Sequence, residues 1–207
     1  NEIPDIIDEV VKAKVKVFAF SRYVPTGGEV DTGMTPMEYR KLLEICDAKY
    51  KAYEKAGCET YFNKKDHLWT LYEYETGQFK LPENAEKGMI YGGCNCGNCH
   101  ITISSNGDVM ACRRVTDSKV ANVFEDRLAD VWICQMEKYR NYDRFEKCSK
   151  CELKAWCRGC PAVANGTSGN FYAPDPQCWK TRNEITGEEL LMESSLTVSL
   201  ENRAGLR

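Results

Sequence analysis

The chain has 207 residues, 43% of them hydrophobic and 29% charged, which is enough to bury a core and excludes a disordered tail; one or two domains are expected. A net charge of -3 and a pI near 5.6, with no run of basic residues that would track a phosphate backbone, argue against a nucleic-acid partner. No apolar run approaches the roughly 18 residues of a membrane span, and the acidic start NEIPDIIDEV lacks a basic signal region, so the expectation is a cytoplasmic protein with no membrane association.

Residues 3–13 carry apolar positions at helical spacing, and VKVFAF at 15–20 is β-branched and aromatic enough for a buried strand. After a loop, Thr35-Pro36-Met37-Glu38 offers an N-cap, a proline at the first helical position and the acid of a capping box. The helix it opens has Tyr39, Leu42, Leu43, Cys46, Tyr50 and Tyr53 as its apolar stripe, and Gly57 ends it before a short strand at 59–62. A further helix over about 67–75 completes an alternation typical of parallel α/β units. Two such units cannot close a sheet, so residues 1–90 read as the end of a larger barrel.

After Gly88 the composition changes. Residues 101–111 alternate around Asn106-Gly107, a strong hairpin signal, and both strand ends lie near thiols, Cys99 and Cys112. A helix from about Arg127 to Tyr142, entered through Asp126, leads to a cysteine-rich stretch at 148–160; its aromatics Trp132, Tyr139 and Tyr142, with Phe145, read as a packing face. The residues after 181 read as a polar helix and tail.

Twelve cysteines are many for a reducing compartment, where thiols more often serve metals than disulfides. Two fall before residue 90 and ten lie between Cys94 and Cys178, which points to local metal sites. Cys46, on an apolar stripe, reads as core packing, and Cys58 and Cys134 are read in the same way. Cys148-x2-Cys151-x5-Cys157-x2-Cys160 packs four thiols into thirteen residues. Soft thiolate sets take zinc, Cu(I) or iron–sulfur clusters. Zinc ribbons separate their cysteine pairs more widely, by roughly 12–20 residues. Cys160 precedes Pro161, and in bacterial ferredoxins the cysteine before proline ligates the neighbouring cluster. A crossed, two-cluster arrangement follows, with Cys94, Cys96, Cys99 and Cys112 as the second group. His100 reads as a surface or core-edge residue rather than a ligand.

Cys94-x12-Gly107-x4-Cys112, the central four-cysteine string and Cys178, together with GDVMAC, NVFED, WCRGCPA and PDPQCW, resemble the seven-cysteine pattern of SPASM domains in radical S-adenosylmethionine (SAM) enzymes. The chain departs from that pattern between Cys157 and Cys160, where two residues stand instead of the usual three. The resemblance implies two auxiliary [4Fe–4S] clusters. One would be held by Cys94, Cys112, Cys160 and Cys99, with Cys96 as the rival to Cys99; the other would be held by Cys148, Cys151, Cys157 and Cys178.

The fold so implied is α/β: the C-terminal part of a partial (β/α) barrel at 1–90, a small α+β SPASM domain with two clusters at 91–180, and a helix or tail at 181–207. Barrel sites lie at the C-terminal ends of strands, which makes Arg22 a candidate contact to the SAM or substrate carboxylate, with Lys65, Asp66 and His67 following the next strand; for Arg22 a salt-bridged role weighs ahead of that contact. The C-x3-C-x2-C loop that holds the SAM-cleaving cluster in the family does not occur in this sequence, so this chain alone is not expected to cleave SAM. The resemblance implies a peptide maturase acting on a cysteine-rich ribosomal precursor peptide, by thioether formation, with SAM and a third [4Fe–4S] cluster in the full-length enzyme and ferredoxin or flavodoxin as reductant. Its rivals are a sulfatase-maturing oxidation and a zinc-stabilised binding module.

Overall fold

The capping box at Thr35 forms as the sequence predicts: the Glu38 amide donates to the Thr35 hydroxyl oxygen, and the Thr35 amide donates to the Glu38 carboxylate at 2.8 Å. It opens α2, Pro36–Lys55, the longest helix in this computed structural model, which describes residues 2–26 and 33–181. Before it come α1, Ile3–Lys12, and β1, Val17–Ala19; after it come β2, Tyr61–Asn63, and α3, Leu68–Glu75. The strands β1 and β2 pair in parallel, with Val17 opposite Tyr61 and Phe18 opposite Phe62. Tyr39, Leu42, Leu43, Cys46 and Tyr50 of α2 are buried, and Tyr50 stacks on Phe62 with ring centroids 4.3 Å apart. Trp69 of α3 is buried beside them, its ring 5.9 Å from that of Tyr50. Each such side chain contributes about 1.5–3 kcal/mol by leaving water, so the aromatic cluster fixes α2 and α3 against β2.

The second sheet is antiparallel in the order β3-β4-β5: Thr102–Ile103, Asp108–Met110 and Lys119–Asn122. The expected hairpin is present, closed by residues 104–107 with Gly107 at φ +84°, a conformation that favours glycine. Val109, at the centre of β4, is fully buried.

The single helix expected over 127–142 is instead three pieces: α4, Leu128–Asp130, a π-helical segment, Val131–Gln135, and α5, Glu137–Arg140. Asp126 does not cap it; its carboxylate accepts from the Asn122 amide at 2.9 Å. The break has a physical cause in Arg140, which donates to the carbonyls of Trp132 (2.7 Å) and Ile133 (3.1 Å) that the irregular backbone leaves open, and to Gly97 O (2.8 Å). Trp132, Tyr139, Tyr142 and Phe145 do pack on one core. Cys134, on the π segment, is exposed, which corrects its reading as a packing residue; Cys58 is half-buried and Cys46 is buried. The last helix, α6, runs Pro161–Ser168 from Cys160 at its N-cap, and Gly169 ends it at φ +70°. The expected helix or tail at 181–207 lies outside the described residues from 182 onward.

Two hydrophobic cores result, and each draws on both sides of residue 90. The first joins Ile7, Leu43, Tyr50 and Trp69 to Leu153 and Cys157; the second joins Val24 to Val109, Met136, Phe145 and Val163. The loops carrying the central cysteines therefore lie between the two cores. Among the described residues, no helix is long and apolar enough to cross a membrane.

Candidate metal centre

The chain directions set up the site. β1 and β2 run in parallel, so their C-terminal ends open on the same side, and the residues beyond them, Ser21 and Lys65-Asp66-His67, form one wall of a cavity of about 520 Å³. The opposite wall carries Cys94, Cys96, Cys112 and Cys160. The hairpin supplies Cys112, just after β4, and the start of α6 supplies Cys160.

Cys99 does not reach this wall. The turn at Asn95–Cys99, with Gly97 at φ +68° and the Cys99 amide donating to Asn95 O at 3.2 Å, rotates Cys99 outward and leaves it exposed, while Cys96 is buried. A side chain at Gly97 would lie 2.8 Å from Tyr139 Cβ, so packing holds the turn in place. Cys96, the rival fourth ligand in the sequence reading, is the one that lines the cavity. His100 is exposed, with its ring 3.4 Å from the Thr102 hydroxyl.

The three thiols Cys94, Cys96 and Cys112 interact directly. Cys112 is pulled down to about 6, chiefly by a hydrogen bond from Cys96. Cys94 is lowered as well, through Cys96 first and the His67 ring next, while Cys96 is raised by its hydrogen bonds to Cys112 and Cys94 and by burial. Arg114 closes the group by donating from Nη2 to the Cys160 sulfur at 3.4 Å.

The remaining thiols gather on the other side of the central loop. Cys148, Cys151, Cys157 and Cys178 act on one another through space, and burial pushes Cys148 up to about 12 and raises Cys151 and Cys157 as well. Cys160 is separated from its three loop neighbours because Gly159, at φ +61°, turns the backbone against Asp175, whose Oδ2 accepts the Cys160 amide at 2.6 Å. His67 touches both groups: its carbonyl accepts from Cys157 Sγ at 3.3 Å, and its ring faces Cys94.

The donor set fits iron–sulfur clusters. It consists of soft thiols in two groups of four, spread along cavity walls and buried loops.

Arg22 takes the salt-bridged role of its two readings, not that of a SAM or substrate contact. It is buried, with Nε donating to Asp66 at 2.9 Å, Nη1 and Nη2 to Asp175 at 2.5 and 2.8 Å, and Nη1 to Gln177 Oε1 at 2.9 Å. Its charge also lies 5.1 Å from the centre of the Tyr39 ring. The two carboxylates take the fork, which makes Arg22 an interior clamp joining β1, the end of β2 and the 175–177 segment rather than a free cation facing a ligand. Lys65 and His67 do face the cavity. Sequence reasoning missed Arg114 and Arg158; the adjacent pair Arg113-Arg114 after Cys112, and the arginine inside Cys157-x2-Cys160, were the available signals.

Residues 94–161 match the family model of SPASM, an iron–sulfur cluster-binding domain. The chain is 27% identical over 165 residues to the AdoMet-dependent heme synthase of Nitratidesulfovibrio vulgaris, covering 75% of this chain and 44% of the relative. To the AdoMet-dependent heme synthase of Oleidesulfovibrio alaskensis it is 26% identical over 164 residues, covering 75% of this chain and 41% of the relative. Its fold is similar to that of Streptococcus suis SuiB bound to S-adenosylmethionine, with a TM-score of 0.58 and 23% identity over 86% of this chain and 42% of SuiB. A second crystal structure of SuiB gives a TM-score of 0.59 at 24% identity with the same coverage. The chain spans less than half the length of each of these relatives.

Proposed function

We propose, on the premise that the chain carries the SPASM domain of a radical SAM enzyme, that it is the auxiliary-cluster part of a peptide-modifying enzyme and holds two [4Fe–4S] clusters. The first takes Cys94, Cys96, Cys112 and Cys160, with Cys96 in place of Cys99, and the second takes Cys148, Cys151, Cys157 and Cys178. The observation that carries this reading is the crossing: Cys160 lines the cavity with Cys94, Cys96 and Cys112, while its loop neighbours keep company with Cys178. When bound, the clusters supply electron relay or a site for a substrate thiolate, with potentials tuned by burial and hydrogen bonds to sulfur.

The protein's own groups do the rest. Arg114 donates to the Cys160 sulfur, Asp175 holds the Cys160 amide, and Lys65 and His67, beyond β2, line the same cavity as the first thiol group. The substrate class is a cysteine-rich ribosomal precursor peptide, modified by thioether formation and supplied with electrons by ferredoxin or flavodoxin, in a full-length enzyme that also binds SAM and a third cluster. A fold shared with SuiB supports an enzyme of this architecture. Anaerobic purification is expected to give brown protein with about eight irons per chain from these cysteines. A colourless preparation containing zinc refutes the cluster reading.

A second reading is favoured by the curated relatives, which are heme synthases: the same cluster arrangement serving a tetrapyrrole substrate. Mass spectrometry of the full enzyme incubated with candidate precursor peptides and, separately, with a heme precursor distinguishes the two. Peptide mass loss supports the first reading, and a changed tetrapyrrole supports the second.

A further inference from the structure

Arg158 sits in the loop between Cys157 and Cys160 and is 2% exposed. Its guanidinium donates to the carbonyls of Lys154 (2.7 Å), Gly92 (2.8 Å) and Cys94 (3.1 Å), and it lies 4.7 Å from the centre of the Tyr142 ring. Its Nε has no hydrogen-bond partner, and no carboxylate pairs with it among the described residues. Arg22, equally buried, has two carboxylates. A buried cation held only by carbonyl dipoles is expensive unless a negative charge lies close by.

The surroundings are built to admit it. Gly93, at φ +77°, has the Arg158 Nη2 3.1 Å from where a Cβ would stand, so a side chain there would crowd the guanidinium. Arg158 directly follows Cys157 of one thiol group, and its Nη2 reaches the Cys94 carbonyl of the other at 3.1 Å. Arg158 therefore lies between the two groups and tethers the segment bearing Cys94 to the loop bearing Cys157 and Cys160. Four thiolates on a four-iron core leave a net anion, so clusters held by these thiols would set negative charge beside Arg158.

We propose that Arg158 is the shared counter-cation of the two clusters and raises both of their reduction potentials. The proposal rests on the two-cluster reading above. Each cluster gains an electron on reduction and becomes more negative, and a permanently charged guanidinium in a dry interior favours that state. Arg158 is a positioning residue, since it acts on the clusters through space and through the Cys94 carbonyl.

The test is potentiometric titration, followed by electron paramagnetic resonance, of the full-length protein purified anaerobically with its clusters, comparing wild type, Arg158→Met and Arg158→Lys. In Arg158→Met, iron content and signal shapes are expected to match wild type while both midpoints move negative, by about tenfold in each reduction equilibrium, or about 59 mV for one electron. Arg158→Lys is expected to restore most of the shift. Unmoved midpoints, or a shift confined to one cluster, overturn the proposal. If Arg158→Met loses iron, Arg158→Lys decides: two clusters near wild-type potentials support the charge, and loss of iron overturns it. Wild-type protein without two clusters overturns both this inference and the functional reading, whereas two clusters whose potentials ignore Arg158 overturn this inference alone.

Discussion

Replacing Arg22 with methionine keeps most of the side-chain volume and removes the charge. It strands Asp66 and Asp175, whose side chains are 4% and 1% exposed, in the interior without their cation. Removing one partner of a buried ion pair costs about 3–5 kcal/mol. Loss of the contact over the Tyr39 ring adds about 0.5–2 kcal/mol. The expected loss is therefore about 3.5–7 kcal/mol, a large share of the roughly 5–15 kcal/mol that holds a typical domain together. Urea unfolding of the anaerobic protein, followed by tryptophan fluorescence, measures it. Adding Asp66→Asn is expected to recover part of the loss, because one stranded charge is removed, so the double-mutant cycle should be non-additive by more than about 1 kcal/mol. Iron at the first site is expected to fall before iron at the second, since Asp175 also holds the Cys160 amide. An Arg22→Met variant within about 1 kcal/mol of wild type, or an additive cycle, refutes the clamp.

The crossed ligation predicts that Cys178→Ala loses the cluster of Cys148, Cys151 and Cys157, that Cys160→Ala and Cys96→Ala lose the other, and that Cys99→Ala loses neither; Mössbauer or paramagnetic resonance spectra of the four variants check this. Gly159→Ala is expected to cost about 2–5 kcal/mol and to reduce iron at both sites, because it adds a left-handed penalty to a clash with Asp175 Cβ at 2.5 Å; thermal melts and iron counts decide, and a fully loaded, stable variant refutes it. Burial pushes the Cys46 thiol from 9.0 up to about 12. The folded state thus holds that proton more tightly than the unfolded chain, so its stabilising effect is complete below pH 9 and is lost as pH rises toward 12. Cys46→Val is expected to flatten this alkaline decline by up to about 1.4 kcal/mol per pH unit, and identical pH profiles for the two proteins contradict the assignment.

What was readable in the sequence was what is decided within a few residues. The capping box at Thr35, the stripe of α2 and the hairpin at Gly107 each follow from neighbours one to four positions apart, and all form as expected. The proline after Cys160 suggested a crossed ligation, which remains a proposal; Cys160 lines the cavity with Cys94, Cys96 and Cys112. Where the reading differs, contacts distant in sequence decide. Cys96 rather than Cys99 faces the cavity because Tyr139 packs against Gly97, some forty residues away. The helix at 127–142 breaks because Arg140 turns back onto the carbonyls of Trp132 and Ile133 and onto Gly97. Arg22 becomes a clamp only once Asp175, 153 positions on, is brought beside it. No local pattern carries that information.

The pairing of β1 bears on how the chain behaves at high concentration. β1 has a single partner among the described strands, and Val17, its first residue, is 56% exposed, as Val15 and Ile6 are at 37% and 40%. A strand with one open row of amides and carbonyls and an exposed valine invites a second copy to add edge to edge. Handled alone, the chain is therefore expected to self-associate through this edge, and Val17→Lys, which sets a charge against such pairing at the N-terminal end of β1, is expected to keep it monodisperse in light scattering without touching the thiol cavity beyond the strands' C-terminal ends.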